Sequence, residues 1–191
     1  MGVKLKLKQG VLILSGMPGA GKTTVSHFLK SNGSYIVSMG DIIREKAIEL
    51  GYGQDRDGQA ATMRVLREKE GPDIVAKITM ESVEKKGANL TIIDGMRSLE
   101  ERDYFASRTH MRVLALHASP PRRFALLSSR GRDDDPKDFK VFEERDRNEL
   151  KLGLGNVIAL ADYMIINEDI TLEQLHAETL RIRKHIMDQL A

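Results

Sequence analysis

The sequence predicts a three-layer α/β fold in which a five-stranded parallel sheet is flanked by helices. Three observations carry this expectation. Five short apolar runs, VLIL at 11–14, YIVSM at 35–39, LTIID at 90–94, VLALH at 113–117 and YMIIN at 163–167, have strand length and β-branched content. That length and β-branched content suit strands buried on both faces. Segments of helical spacing lie between them, which calls for parallel strands joined by right-handed crossovers. A glycine-rich stretch, GMPGAGKTTVS at 16–26, also follows the first run directly. With 191 residues and no linker or low-complexity tract, one domain over 1–191 is predicted.

The elements follow in order. After the first strand and the glycine-rich stretch, a helix is predicted over 22–31. The second strand leads into a helix over 41–50, with Asp41 after Gly40 as a plausible N-cap. Helices over 58–70 and 73–86 follow, the second entered after Pro72 and closed by Gly87. The third strand precedes a helix over 98–107, and the fourth a helix over 120–129. Residues 130–151 carry fifteen charged side chains in twenty-two, seven basic and eight acidic. Helical spacing is predicted around 139–151, and the whole stretch is expected to stay out of the core. The fifth strand precedes a helix over 171–190, opened by the capping-box pair Thr171 and Gln174. The start, MGVKLKLKQ, alternates Lys with apolar residues and reads as an edge strand or a frayed tail, neither signal peptide nor anchor.

Composition excludes several classes of function. Thirty basic against 28 acidic residues give a net charge of +2, which supplies no global attraction to nucleic acid or to an anionic membrane. The chain has no cysteine, so disulfides, thiolate metal sites and cysteine nucleophiles are absent, and a cytoplasmic location is expected. Any metal must use oxygen ligands, because His27, His110, His117, His176 and His185 show no metal-ligand spacing.

GMPGAGKT fits G-x-x-x-x-G-K-[ST], with Gly16, Gly21, Lys22 and Thr23 at the fixed positions. The spacing has a physical reason. Glycines let the loop curl so that successive backbone N–H groups face phosphate oxygens, and the helix that follows adds its positive end. Gly16, Met17, Pro18, Gly19, Ala20, Gly21, Lys22, Thr23 and Thr24 are therefore the predicted ATP-binding loop. Lys22 reaches the β and γ phosphates as a catalytic cation, and the Thr23 hydroxyl holds Mg2+. Asp94 ends the third strand beside this loop, the place for a carboxylate that orients hydrated Mg2+; a turn aspartate before Gly95 is the alternative. No Asn precedes a Lys, so the N-K-x-D guanine motif is missing, which argues against a GTP switch.

Two further stretches follow strands: SMGDIIREK brings Asp41 and Arg44, and TIIDGMRS brings Asp94 and Arg97. In doubly wound sheets ligands bind beyond the carboxyl ends of the strands, which places both stretches beside the phosphate loop; by residue type alone Arg44 reads as a surface arginine. Phosphoryl transfer needs positioning, cations around the moving group and exclusion of water. Residues 130–151 could form a lid that supplies these, with Arg130, Arg132, Arg145 and Arg147 as catalytic cations; a solvated helix laced with ion pairs is the other reading.

The sequence resembles the nucleoside monophosphate kinases. GMPGAGKT resembles the adenylate kinase phosphate loop, GDIIRE the acceptor-site segment, and IIDGMR the D-G-F-P-R segment, although Arg97 follows Asp94 by three residues instead of four. Over nearly its full length the chain resembles an archaeal family of adenylate-kinase-related P-loop proteins, sometimes described as dephospho-CoA-kinase-like. The resemblance implies a P-loop kinase core of about 10–40, 88–129 and 155–191, an acceptor region of about 41–87 and a lid of about 130–151. It implies ATP and Mg2+ as ligands, a substrate-binding role for Asp41, Arg44 and Arg97, and a small-molecule phosphate acceptor as partner, most simply a nucleoside monophosphate. Dephospho-CoA is the alternative acceptor, and a regulatory or assembly P-loop ATPase the alternative of another class.

Overall fold

The computed structural model describes residues 7–30, 34–131 and 135–190. Its elements are β1 (Leu7–Ser15), α1 (Lys22–Leu29), β2 (Ser34–Ser38), α2 (Met39–Glu49), α3 (Arg56–Glu70), α4 (Ile74–Lys86) and β3 (Leu90–Asp94), followed by α5 (Leu99–Arg108), β4 (Thr109–His117), α6 (Pro120–Arg130), α7 (Phe139–Lys151), α8 (Leu154–Ala159), β5 (Tyr163–Ile166) and α9 (Leu172–Leu190). The five strands form one parallel sheet in the order β2-β3-β1-β4-β5. The central strand is β1, whose register places Leu14 beside Asp94 and Ser15 beside Ala115. The carboxyl ends of β1, β3 and β4 thus lie side by side, and the loops that leave them share one edge of the sheet.

Both faces of the sheet are covered, which explains the apolar runs. Val11 and Ile13 face a core built with Ile42 and Ile43 of α2, Met80 and Val83 of α4 and Phe105 of α5. Leu12 and Leu14 face the opposite core with Val25 and Leu29 of α1 and Ile182 and Ile186 of α9. Alternate residues of one strand therefore feed two cores, and no position on β1 from Val11 to Leu14 is left for a polar side chain.

Several boundaries differ from the sequence expectation. Met39 opens α2 instead of closing β2. The N-cap is Ser38, whose hydroxyl accepts from the Asp41 backbone N–H at 3.2 Å, so Asp41 lies in the first turn and is not the cap. A serine that both ends a strand and caps the next helix leaves no loop between them. Helix α8 was not anticipated; six residues are too few for a helical period to show. The capping box of α9 forms as expected: the Gln174 backbone N–H donates to Thr171 Oγ1 at 3.2 Å, and the Thr171 N–H donates to Gln174 Oε1 at 2.8 Å.

The charged stretch also contributes to the interior. Phe142 is 0% exposed and packs with Phe124 and Phe139, their ring centroids 5.4–5.6 Å apart. Phe139 and Phe142 stand three apart on one face of α7, so this face is apolar although the composition of the segment is not. Residues 1–6 of the amino-terminal stretch lie outside the described residues, while Leu7 pairs with Thr109 at the start of β1. No helix among the described residues is long and apolar enough to cross a membrane.

Candidate active site

The glycine-rich loop runs from the end of β1 into α1. Gly21 caps the helix with φ 104°, in the left-handed region that a side chain rarely adopts. A Cβ at this position would stand 2.7 Å from Nδ2 of Asn167, at the end of β5. Asn167 is buried, donates from that amide to the Ala20 carbonyl at 3.1 Å, and its backbone N–H donates to the His117 carbonyl at 2.7 Å. The loop is thus held from behind by the β4 and β5 ends, and the glycine is required by its neighbour as well as by its backbone.

Lys22 folds back over the loop, its ammonium donating to the Gly16 carbonyl at 2.7 Å and the Met17 carbonyl at 3.3 Å. Burial pushes its pKa down, and the nearby Asp94 carboxylate acts in the opposite direction. Asp94 shows the reverse pattern: desolvation pushes its pKa up, and Lys22 pulls it down. The two groups therefore form a partly desolvated pair at the carboxyl edge of the sheet. Asp94 Oδ1 is buried without a hydrogen-bond partner, which fits an acceptor for magnesium or its water. Thr23, on the first turn of α1, is exposed and lines the cavity over the loop; Asp94 is not among the residues that line it. Among the described residues no group of three or more His, Asp or Glu is placed to hold a metal. Magnesium here would take Thr23 and Asp94 with phosphate and water oxygens as its remaining ligands, the usual habit of that ion.

A cavity of about 590 Å³ opens over the loop. Its lining carries five cations, Lys22, Arg97, Arg122, Arg130 and Arg145, with Glu149 the one acidic residue among the described lining. Apolar side chains, among them Leu126, Ile170, Leu172 and Leu175, line it as well. A cavity lined by both cationic and apolar side chains matches a ligand with a polyanionic part and an apolar part.

The predicted site residues separate into those that meet and those that do not. Gly16, Pro18, Gly19, Gly21, Lys22, Thr23 and Thr24 line the cavity, and buried Met17 and Ala20 shape the loop from below. Arg97, Arg130 and Arg145 line it as well. Arg130 is held by an ion pair with Asp135, and Arg97 by Glu149 at 3.4 Å. Arg147 is exposed on α7 and does not line the cavity, since two residues along a helix turn a side chain away. Arg132 lies outside the described residues. Asp41 and Arg44 pair with each other on the exposed first turn of α2 and line neither this cavity nor the next.

A second, small recess of about 30 Å³ lies between α2, α3 and the loop after β3, lined by Gly40, Gln59, Arg67 and Glu101. Gly95 and Arg97 line both spaces. Glu101 is 2% exposed. It accepts from Arg67 Nη2 at 3.3 Å and from the Arg97 backbone N–H at 2.9 Å, and burial pushes its pKa up. Sequence reasoning missed Arg67, Glu101, Arg122 and Glu149, because charges set among other charges on helices read as surface.

The sheet order, the loop and the cavity define a P-loop kinase-like fold. Solved structures agree on the fold: a Thermus thermophilus protein (TM-score 0.64, 18% identity, 96% of this chain and 98% of that one), a shikimate kinase from Bacteroides thetaiotaomicron (0.60, 16%, 93% and 98%) and a sugar kinase from Janibacter sp. (0.53, 18%, 96% and 98%). A family model described as an AAA domain matches residues 15–141. The chain belongs to the UPF0200 family. Its relatives include UPF0200 proteins of Hyperthermus butylicus (38% identical, covering 94% of this chain and 96% of that protein), Thermococcus kodakarensis (37%, 94% and 100%) and Pyrococcus furiosus (40%, 93% and 98%).

Proposed function

We propose that the protein is an ATP-dependent phosphotransferase that passes the γ-phosphate to a small acceptor, in the first place a nucleoside monophosphate. The observation that carries this reading is the meeting of two spaces at Gly95 and Arg97. A nucleotide lying in the large cavity, with its phosphates on the loop, would present its terminal phosphate toward the second recess. At about 30 Å³ that recess has room for about two waters, so an acceptor requires α2 and α3 to move apart.

In this reading the loop N–H groups and the start of α1 bind the phosphates, Asn167 keeps the loop in shape, and apolar side chains of the cavity lining take the base. The acceptor oxygen attacks the γ-phosphorus as the bond to the leaving ADP oxygen breaks, so the chain must stabilise spread negative charge more than it must do covalent chemistry. Lys22, Arg130 and Arg145 supply that charge, and Arg97 stands between donor and acceptor. Magnesium, held by Thr23 and Asp94, would neutralise charge on the β and γ phosphates. Residues 41–87 form the acceptor side, with Asp41 and Arg44 reaching it only if α2 moves, and 130–151 act as the lid over the phosphates.

ADP formation from Mg-ATP, measured against AMP, CMP, UMP, GMP, their deoxy forms and dephospho-CoA with Lys22→Ala as blank, tests the reading. A fast rate with one acceptor, absent in the blank, is the expected result. Slow hydrolysis indifferent to every acceptor would refute it and favour a regulatory ATPase responding to a macromolecule.

A further inference from the structure

One guanidinium joins three elements behind the phosphate loop. Arg123, on α6 and 4% exposed, donates from Nε to the Ala118 carbonyl beyond β4 at 3.0 Å and from Nη1 to the Pro18 carbonyl of the loop at 3.2 Å. Nη1 and Nη2 also donate to the two carboxylate oxygens of Asp146 on α7, the first at 2.8 Å. The guanidinium carbon lies 4.9 Å from the ring centroid of Phe142. The backbones are equally close here: a Cβ on Gly19, at φ 82°, would stand 2.7 Å from the Arg123 carbonyl oxygen. A buried guanidinium is costly unless its donors are satisfied and its charge is paired, and here both conditions are met. Arg123 does not line the cavity, so it is no phosphate ligand.

Its importance lies in what Asp146 carries with it. Arg145 and Glu149, on the same helix, both line the cavity. One residue of rotation turns a helix by roughly 100°, so a slip of α7 about its axis would take Arg145 away from the phosphates. The bidentate Arg123–Asp146 pair fixes that rotation relative to Pro18.

We propose that Arg123 is a positioning residue which couples the set of the phosphate loop to the orientation of α7, so that nucleotide binding and the aim of Arg145 are linked. The consequence for rate rests on the phosphotransferase reading; the mechanical coupling rests on the contacts alone. Coupling of this kind is reciprocal, so phosphate on the loop must also change the ordering of α7.

Hydrogen exchange of residues 139–151, with and without Mg-ATP, tests the coupling in wild type, Asp146→Asn, Arg123→Lys and Asp146→Glu. ATP is expected to slow exchange across α7 in wild type. In Asp146→Asn that response should vanish while protection of residues 16–24 persists, and Asp146→Glu should restore it. With the best acceptor, Asp146→Asn should lower kcat about 10- to 100-fold with the KM for ATP changed less than about twofold, the signature of misplacement. A merely structural role would lower Tm without that split. Should Arg123→Lys fail to fold, Asp146→Asn, which keeps the side-chain shape, decides the matter. Unchanged ATP protection of α7 in folded Asp146→Asn, or no ATP protection in wild type, overturns the proposal. Absence of acceptor-dependent turnover in wild type would refute the phosphotransferase reading instead, and the exchange result would still decide the coupling.

Discussion

Replacing Gly21 by Ala perturbs the loop in two separable ways. At φ 104° an L side chain is strained by about 1–2 kcal/mol. Its Cβ would also stand 2.7 Å from Asn167 Nδ2, so the amide must leave the Ala20 carbonyl that it meets at 3.1 Å. A buried polar group deprived of its partner costs about 1–3 kcal/mol. Gly21→Ala should therefore destabilise by about 2–5 kcal/mol. Asn167→Ala removes the same hydrogen bond and should cost about 1–3 kcal/mol. In the double variant the lost bond is counted once and the obstacle is gone, so the combined loss should fall short of the sum by about 1–3 kcal/mol. Urea unfolding of the ligand-free protein, analysed at constant m, reads all three values. Additivity within about 0.5 kcal/mol would refute the claim that Asn167 is what excludes a side chain at position 21.

Three further outcomes are expected. Asp94 has a folded pKa raised above its ordinary 3.8, so its contribution to stability is most favourable below that value and is lost as pH rises through the folded pKa. Asp94→Asn should thus raise Tm relative to wild type at pH 8, with a smaller advantage at pH 4 in the ligand-free protein, while abolishing Mg-dependent turnover; a larger advantage at the lower pH would contradict the buried-carboxylate assignment. Phe142→Ala should cost about 3–5 kcal/mol by urea unfolding, since it empties the cluster under α7, and a loss below about 1 kcal/mol would show that the cluster contributes little. Arg145→Ala should lower kcat about 100-fold with the ATP dissociation constant little changed, and equal loss in both would make Arg145 a ground-state binder instead.

The strands were legible because β1, β3 and β4 are buried on both faces, and a strand with no solvent side must be a continuous apolar run. The phosphate loop was legible because its chemistry needs glycines and a lysine at fixed intervals. What escaped was decided by pairing across long stretches of chain. Arg123 stands in an Arg-Arg pair on an amphipathic helix and reads as surface; Asp146, in a stretch that reads as solvated, makes it interior. Phe142 was hidden for the same reason, since composition averaged over 130–151 masks one apolar face. Asn167 at the end of an apolar run carries no signal of its own, and its amide bond to Ala20 depends on how far β5 extends beside β4. Asp41 was misplaced as a cap because Ser38, the true cap, lay inside what looked like a strand.

The most direct test of the phosphotransferase reading follows the γ-phosphate itself. With γ-labelled Mg-ATP, purified protein and each nucleoside monophosphate, the label should appear covalently on one acceptor at the rate of ADP formation and disappear from that product in Lys22→Ala. Label recovered only as inorganic phosphate, whatever acceptor is supplied, would contradict it.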